Sequence, residues 1–283
     1  MLRQTNSARS IARPLLAGLT EHSFVGRVLG VHRRACNVID ESGRIIALVL
    51  PEVGNGPFAI VIDGTPGIFG GLEPHQPVRV TRQALTLGQW QISLNRASAW
   101  EPHLPRPTHP LNLELMIERV RPYVEWPNFN ETTQLAGRMA QLAQQAAAEL
   151  SARLKQPQNE KLLAAAVAQL AGLGRGLTPA GDDYLLGTMA ALWLTERPDA
   201  LATIAKVAGP KTTALSRAFL NAAAGGEFIE PWHALVLAWD AKDLIAMTRA
   251  IERIARFGAS SGRDALAGFA NALLTFIQLD HPD

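Results

Sequence analysis

The segment "EPHLPRPTHP", residues 101–110, divides the chain into two halves that follow different structural rules. Prolines at this density remove backbone donors and fix φ, so neither a helix nor a central strand can run through it. Before it, short apolar runs such as "RIIALVL", "FAIVIDG", "QPVRVTRQAL" and "QWQISLNRASAW" are separated by glycine and proline turns. "FVGRVLGVHRRACNVID" reads as strand, joined to "RIIALVL" through "ESG" as a hairpin, and "TLGQWQISL" reads as another. After it, "ETTQLAGRMAQLAQQAAAELSARL", "NEKLLAAAVAQLAGLG", "AKDLIAMTRAIERIARFG" and "RDALAGFANALLTFIQL" carry the alanine, leucine and glutamine of good helix formers. The expected class is α+β. An N-terminal antiparallel β barrel or sandwich over residues 1–100 leads through a Pro-rich linker, 101–112, into a helical domain, 113–283.

Composition excludes several function classes. With 283 residues, 47% hydrophobic and 18% charged, the chain has the makeup of a folded protein. A net charge of +2, with basic residues scattered, offers no field for nucleic acid. The single cysteine, Cys36, rules out an internal disulfide and a multi-cysteine metal site. The seven histidines form no zinc-binding spacing. The opening "MLRQTNSARSIARPLLAGL" lacks the apolar stretch of a signal peptide and reads as a leader into the first domain. The most apolar run, "YLLGTMAALWL", is shorter than the roughly 20 residues that span a bilayer. A cytoplasmic protein with no membrane partner is expected.

Chemistry concentrates in "GLGRGLTPAGDDYLLG", residues 172–187. One reading is a helix start, with Thr178 as N-cap, Pro179 as first helical residue, and Asp182 and Asp183 at the positive end of the dipole. That leaves Gly181 unexplained, since glycine inside a helix costs about 1 kcal/mol relative to alanine. It also leaves Gly172, Gly174 and Gly176, spaced at every second residue. Such a loop exposes backbone N–H groups and lets an anion approach the main chain. The expected substrate-binding set here is Gly174, Arg175, Gly176, Thr178 and Gly181.

"SGRDALAGFANALL" from Ser261 echoes "AGDDYLLGTMAALW" from Ala180. Gly181 matches Gly262, Asp183 matches Asp264 and Gly187 matches Gly268, at an offset of 81 residues. Asp183 and Gly187, four apart, share a helix face, as do Asp264 and Gly268. The two helices are expected to pack together through their glycines, with both aspartates at one place. Adjacent carboxylates repel unless a proton, an arginine or a cation intervenes. Arg175 and Arg263 are the nearest arginines in sequence. No cofactor is demanded by the motifs; the metal stays open, with Mg²⁺ the one that carboxylates would suit. Asp182, Asp183, Asp264 and Arg263 are the candidate catalytic residues, with Ser260, Ser261 and Gly262 on the second helix start.

"PKTTALSRAFLNAAAGGEF" is a third contributor. Thr212 or Thr213 can cap a helix that Gly225 ends. Alternatively Lys211, Thr212, Thr213 and Ser216 bring hydroxyls and positive charge to the anion pocket. Lys211 at a helix N-terminus opposes the dipole, which favours a ligand role for it.

The "GLGRGLTPAGDDYLLG" run, with "TTALS" and "SSGRD" downstream, resembles a bacterial domain family, labelled a carboxylase, that includes the AllH subunit of oxamate carbamoyltransferase. The resemblance covers most of the chain. It implies a part in the reversible phosphorolysis of oxalurate to oxamate and carbamoyl phosphate during allantoin degradation, beside AllG-like and FdrA-like subunits. The implied ligand is a small anion: carbamoyl phosphate, phosphate or oxamate. Ala180 stands where many relatives carry serine, which removes one hydroxyl. Two other readings compete: a Mg²⁺-dependent hydrolase using the aspartate pair, and a non-catalytic scaffold or regulatory subunit.

Overall fold

A computed structural model describes residues 4–126, 134–156 and 158–280. The chain forms two compact units, one comprising Met1–His103 with Glu227–Glu230, the other Leu104–Gly226 with Pro231–Asp283.

The first unit is a closed barrel. Its strands are β1 (Gln4–Ala12), β2 (Phe24–Val31), β3 (Ala35–Asp40), β4 (Ile45–Val49), β5 (Ala59–Ile62), β6 (Pro77–Val80), β7 (Ala84–Leu87), β8 (Trp90–Ser93) and β9 (Ser98–Trp100). They run in the order β5-β4-β3-β2-β6-β7-β8-β1, and β1 returns to pair with β5, so eight strands close on themselves. The short β9 adds to the far end of β1. Neighbours are antiparallel except β1–β8, β1–β9 and β4–β5. Ile11, Val28, Val38, Ile46, Leu48, Ile60, Ile62, Leu85 and Ile92 pack together in its hydrophobic core. At this strand number side chains suffice to fill the barrel.

Within the opening segment, residues from Gln4 on form β1, the strand that closes the barrel, followed by helix α1 (Arg13–Glu21). β1 pairs with β5, β8 and β9, and its register with β5 shifts between Ala8 and Ser10. The run "FVGRVLGVHRRACNVID" holds two strands, β2 and β3, paired with each other across His32–Arg34. Cys36 is buried on β3, as a packing residue.

In the second unit, residues 104–112 are tied down along their length. Trp193 Nε1 donates to the Leu104 carbonyl at 3.3 Å, and the Arg106 guanidinium sits 4.5 Å from the Trp193 ring. The Thr108 and His109 backbone N–H groups both donate to Asp240, at 3.0 and 3.1 Å. The helices follow: α2 (Leu113–Val120), α3 (Gln134–Leu154), α4 (Glu160–Leu170), α5 (Ala180–Leu194), α6 (Asp199–Ala208), α7 (Ala214–Ala224), α8 (Glu230–Asp240), α9 (Leu244–Ala255) and α10 (Ser261–Asp280). Asn112, Asn159, Thr213 and Asp243 cap α2, α4, α7 and α9 through their side chains. The start of the "ETTQ" segment, residues 131–133, lies outside the described residues.

Helix α5 is buried nearly all round, as its unbroken apolar sequence requires. It crosses α10 at backbone contact. A Cβ on Gly187 would stand 1.6 Å from the Ala265 carbonyl oxygen, and one on Gly268 would stand 1.9 Å from that of Tyr184. Real Cβ atoms cannot occupy either place, so both positions admit only glycine at this crossing. The close packing expected from the echoed motif is present. Gly268→Ala should lower unfolding free energy by about 3 kcal/mol or more, because a backbone clash has no rotamer escape. Gly137→Ala in α3, where a Cβ meets nothing within 4 Å, should raise it by about 0.5–1 kcal/mol. Urea titration of both variants checks the pair.

Candidate functional site

The hairpins α4–α5 and α9–α10 repeat each other in detail. Gly181 N donates to Leu173 O at 2.8 Å, and Gly262 N to Phe257 O at 3.0 Å. Asp182 N and Asp183 N both donate to Pro179 O; Arg263 N and Asp264 N both donate to Ser260 O. A Cβ on Gly181 would fall 2.0 Å from Leu170 O, and one on Gly262 would fall 1.7 Å from Ile254 O. Each glycine lets its helix start against the carbonyl that ends the preceding helix. The 81-residue echo is therefore a structural repeat, and Gly187 against Ala265 with Gly268 against Tyr184 makes the crossing reciprocal.

The crossing brings the two helix starts together. The Thr178 and Ser261 hydroxyls lie 2.8 Å apart. Asp182, Asp183 and Asp264 are all buried, 2%, 6% and 7% exposed. Asp182 accepts from Gly172 N at 2.8 Å and from the Thr212 hydroxyl. Asp264 accepts from Trp126 Nε1 at 2.8 Å. Trp126 packs on Tyr184, ring centroids 4.5 Å apart. Oδ2 of Asp183, Oδ2 of Asp264 and Oγ of Ser216 are buried without a hydrogen-bond partner.

Burial raises the pKa of all three carboxyl groups, most strongly that of Asp183. For Asp183 desolvation dominates, the negative charges of Asp264 and Asp182 add to it, and the Ser261 and Thr178 hydroxyls oppose it. Thr212, Gly172 and Ser216 counter the burial of Asp182, and Trp126 and Ser260 that of Asp264. No lysine or arginine is among the groups acting on these three acids. Of the two arginines nearest in sequence, Arg175 is exposed on the loop before α5 and Arg263 is exposed in the first turn of α10. Among the described residues no group of three or more His, Cys, Asp or Glu could hold a metal ion.

Other expectations also change. Thr178 is not the N-cap. Pro179 holds that position, with no side-chain cap, because its carbonyl takes the first helical N–H groups while Thr178 turns to Ser261. Gly172, Gly174 and Gly176 have φ of +73°, +123° and +94°, so the alternation serves the backbone path. A Cβ at Gly172 or Gly174 would also strike backbone, at Lys211 O or Ala180 N; only Gly176 borders open space. Lys211 is exposed and ends a short 3₁₀ turn, Gly209–Lys211, while Thr213 caps α7. Thr213 also donates to the Leu177 carbonyl, which ties α7 to the glycine loop.

Trp126 was not legible as a site residue. It lies 138 positions from its partner Asp264, and no local motif marks a tryptophan N–H as a carboxyl donor.

A family model for the oxamate carbamoyltransferase subunit AllH matches residues 170–273, and one for the AllH-family N-terminal domain matches residues 7–99. The chain belongs to the AllH family. The first AllH match opens at the end of α4 and closes within α10, so it takes in both glycine crossings and all three buried acids. The AllH N-terminal match takes in the barrel from β1 to β9. No solved structure matches the chain. No helix among the described residues is long and apolar enough to cross a membrane.

The raised pKa of Asp183 has a measurable consequence. The folded protein holds this proton more tightly than the unfolded chain, so its contribution falls as pH rises from the ordinary aspartate value through the native one. Asp183→Asn removes that loss. Relative to wild type, the variant should gain stability with pH across this window, with a slope of at most about 1.4 kcal/mol per pH unit, and show no pH-dependent gain below it. Thermal melts of both proteins from pH 3 upward check this (roughly the aspartate range).

Proposed function

We propose that this chain is the AllH-like subunit of a cytoplasmic carbamoyltransferase. It would bind a small anionic substrate, carbamoyl phosphate, phosphate or oxamate, where α5, α7 and α10 begin. In the degradative direction a phosphate oxygen attacks the carbamoyl carbon of oxalurate and the C–N bond breaks. The oxamate nitrogen takes a proton, and carbamoyl phosphate leaves. The residues available fit those needs. Arg175 on the glycine loop, Lys211 at the end of the 3₁₀ turn and Arg263 in the first turn of α10 are all exposed and can meet phosphate or carboxylate charge. Asp183 is a carboxyl group that burial keeps protonated above the usual range, as a proton donor to a leaving nitrogen requires. Holding both reactants at one pair of helix starts supplies proximity.

The observation that carries this reading is the coincidence of the AllH match with the buried acid cluster. An FdrA-like and an AllG-like subunit are the proposed partners. The family match lends the Mg²⁺-hydrolase reading no such support.

In the assembled complex, Arg263→Ala should lower kcat/KM for phosphorolysis about 100-fold, the cost of one lost charge-stabilising group, while the chain still folds and assembles. Steady-state assays on the purified complex decide it. Turnover unchanged in both Arg263→Ala and Asp183→Asn would assign the chain a scaffold or regulatory role instead.

A further inference from the structure

We propose that Asp183 and Asp264, with Ser216, receive the primary amide end of the substrate, while the basic residues beside the helix starts receive its anionic end. This deepens the carbamoyltransferase reading and rests on it.

Three buried acids stand at the helix starts, among the hydroxyls of Thr178, Thr212, Ser216 and Ser261. Asp182 is committed to the fold, accepting from Gly172 N and Thr212. Asp183 and Asp264 are not fully committed. Each keeps Oδ2 without a partner, at 6% and 7% exposure. Native proteins pair nearly all buried polar atoms, so two orphan oxygens on carboxyl groups that act on each other ask for a donor from outside the chain. Ser216 Oγ, on α7, is 2% exposed, acts on Asp182 and makes no hydrogen bond of good geometry there.

The chemistry of the missing group follows. An anion is repelled by three acids with no basic side chain acting on them. A divalent cation would find two carboxyl groups with an uncommitted oxygen and no grouped set of three or more His, Cys, Asp or Glu among the described residues. A neutral group rich in N–H donors meets neither objection. A primary amide presents two N–H donors and one carbonyl acceptor. An ionised carboxylate offers acceptors for the first, and a protonated carboxyl group or a hydroxyl offers a donor for the second. The hydroxyls of Thr178 and Ser261 are bonded to each other and both act on Asp183, so they can exchange that bond for one to the incoming amide. Arg175, Lys211 and Arg263 are exposed beside the helix starts, on the glycine loop, the 3₁₀ turn and the first turn of α10.

The site thus has a polarity: amide inward, anion outward. Carbamoyl phosphate, oxamate and oxalurate all have one end of each kind. Oxalate, which replaces the amide of oxamate by a second carboxylate, does not.

Isothermal titration of the full chain with oxamate and with oxalate tests this, repeated on Asp183→Asn, Asp264→Asn and Ser216→Ala. Wild type should favour oxamate by at least about tenfold, because a site built for N–H donors is left unpaired by the analogue lacking them. Asp183→Asn and Asp264→Asn should bring the ratio toward one, since an asparagine amide can donate to a carboxylate. Ser216→Ala, the mildest change, should narrow it while leaving the melting temperature near wild type. The inference is overturned if wild type binds neither compound, if it binds oxalate as well as oxamate, or if the ratio is unmoved in folded variants. Turnover by the assembled complex reports separately on the transfer reading. Discrimination without turnover keeps the amide site and removes the transfer; turnover without discrimination does the reverse.

Discussion

The helical unit depends on one contact, the backbone-to-backbone crossing of α5 and α10. With no side chain at Gly187 or Gly268, each helix lies against a carbonyl of the other, Ala265 and Tyr184. Each helix is held a second time, at its own start, where Gly181 and Gly262 abut the carbonyls of Leu170 and Ile254. Four glycines therefore set the positions of two helix starts with little freedom left. The acids at those starts have no means of retreating from one another. Burial and mutual repulsion raise the pKa of Asp183 as a result of that packing.

The repeat is imperfect where chemistry would need it to be. Pro179 in the first hairpin corresponds to Ser260 in the second, and Ala180 corresponds to Ser261. The first start is thus stiff and without hydroxyls at these two places, and the second supplies them. The Ser261 hydroxyl reaches across to Thr178 and acts on Asp183, the acid of the other hairpin. Asp264 in turn draws its N–H donor from Trp126, outside either hairpin. Two copies of one scaffold have become a single asymmetric cluster.

Much of this was legible in the sequence. The echo of G-x-D-x-L-x-G identified both helices and the glycine face, because close approach leaves a residue-type signature that survives without coordinates. The change of grammar at residues 101–110 separated strand from helix for the same reason. Other features had no such signature. "QTNSARSIA" is rich in small polar residues, so the strand that closes the barrel did not read as a strand. Positive φ and ligand contact both call for glycine, so the residues at 172, 174 and 176 could not distinguish a backbone path from an anion cradle. Whether a basic side chain enters an acid cluster depends on rotamer and tertiary placement, and Arg175 and Arg263 are both exposed.

The central claim is that the crossing makes Asp183 and Asp264 one electrostatic unit. Carboxyl ¹³C NMR titration of aspartate-labelled protein tests it most directly, in wild type and in Asp264→Asn. Asp183 should titrate well above the ordinary aspartate range in wild type and move down when the charge at 264 is removed. An Asp183 resonance that titrates at the ordinary value, or that does not respond to the substitution, would contradict the account.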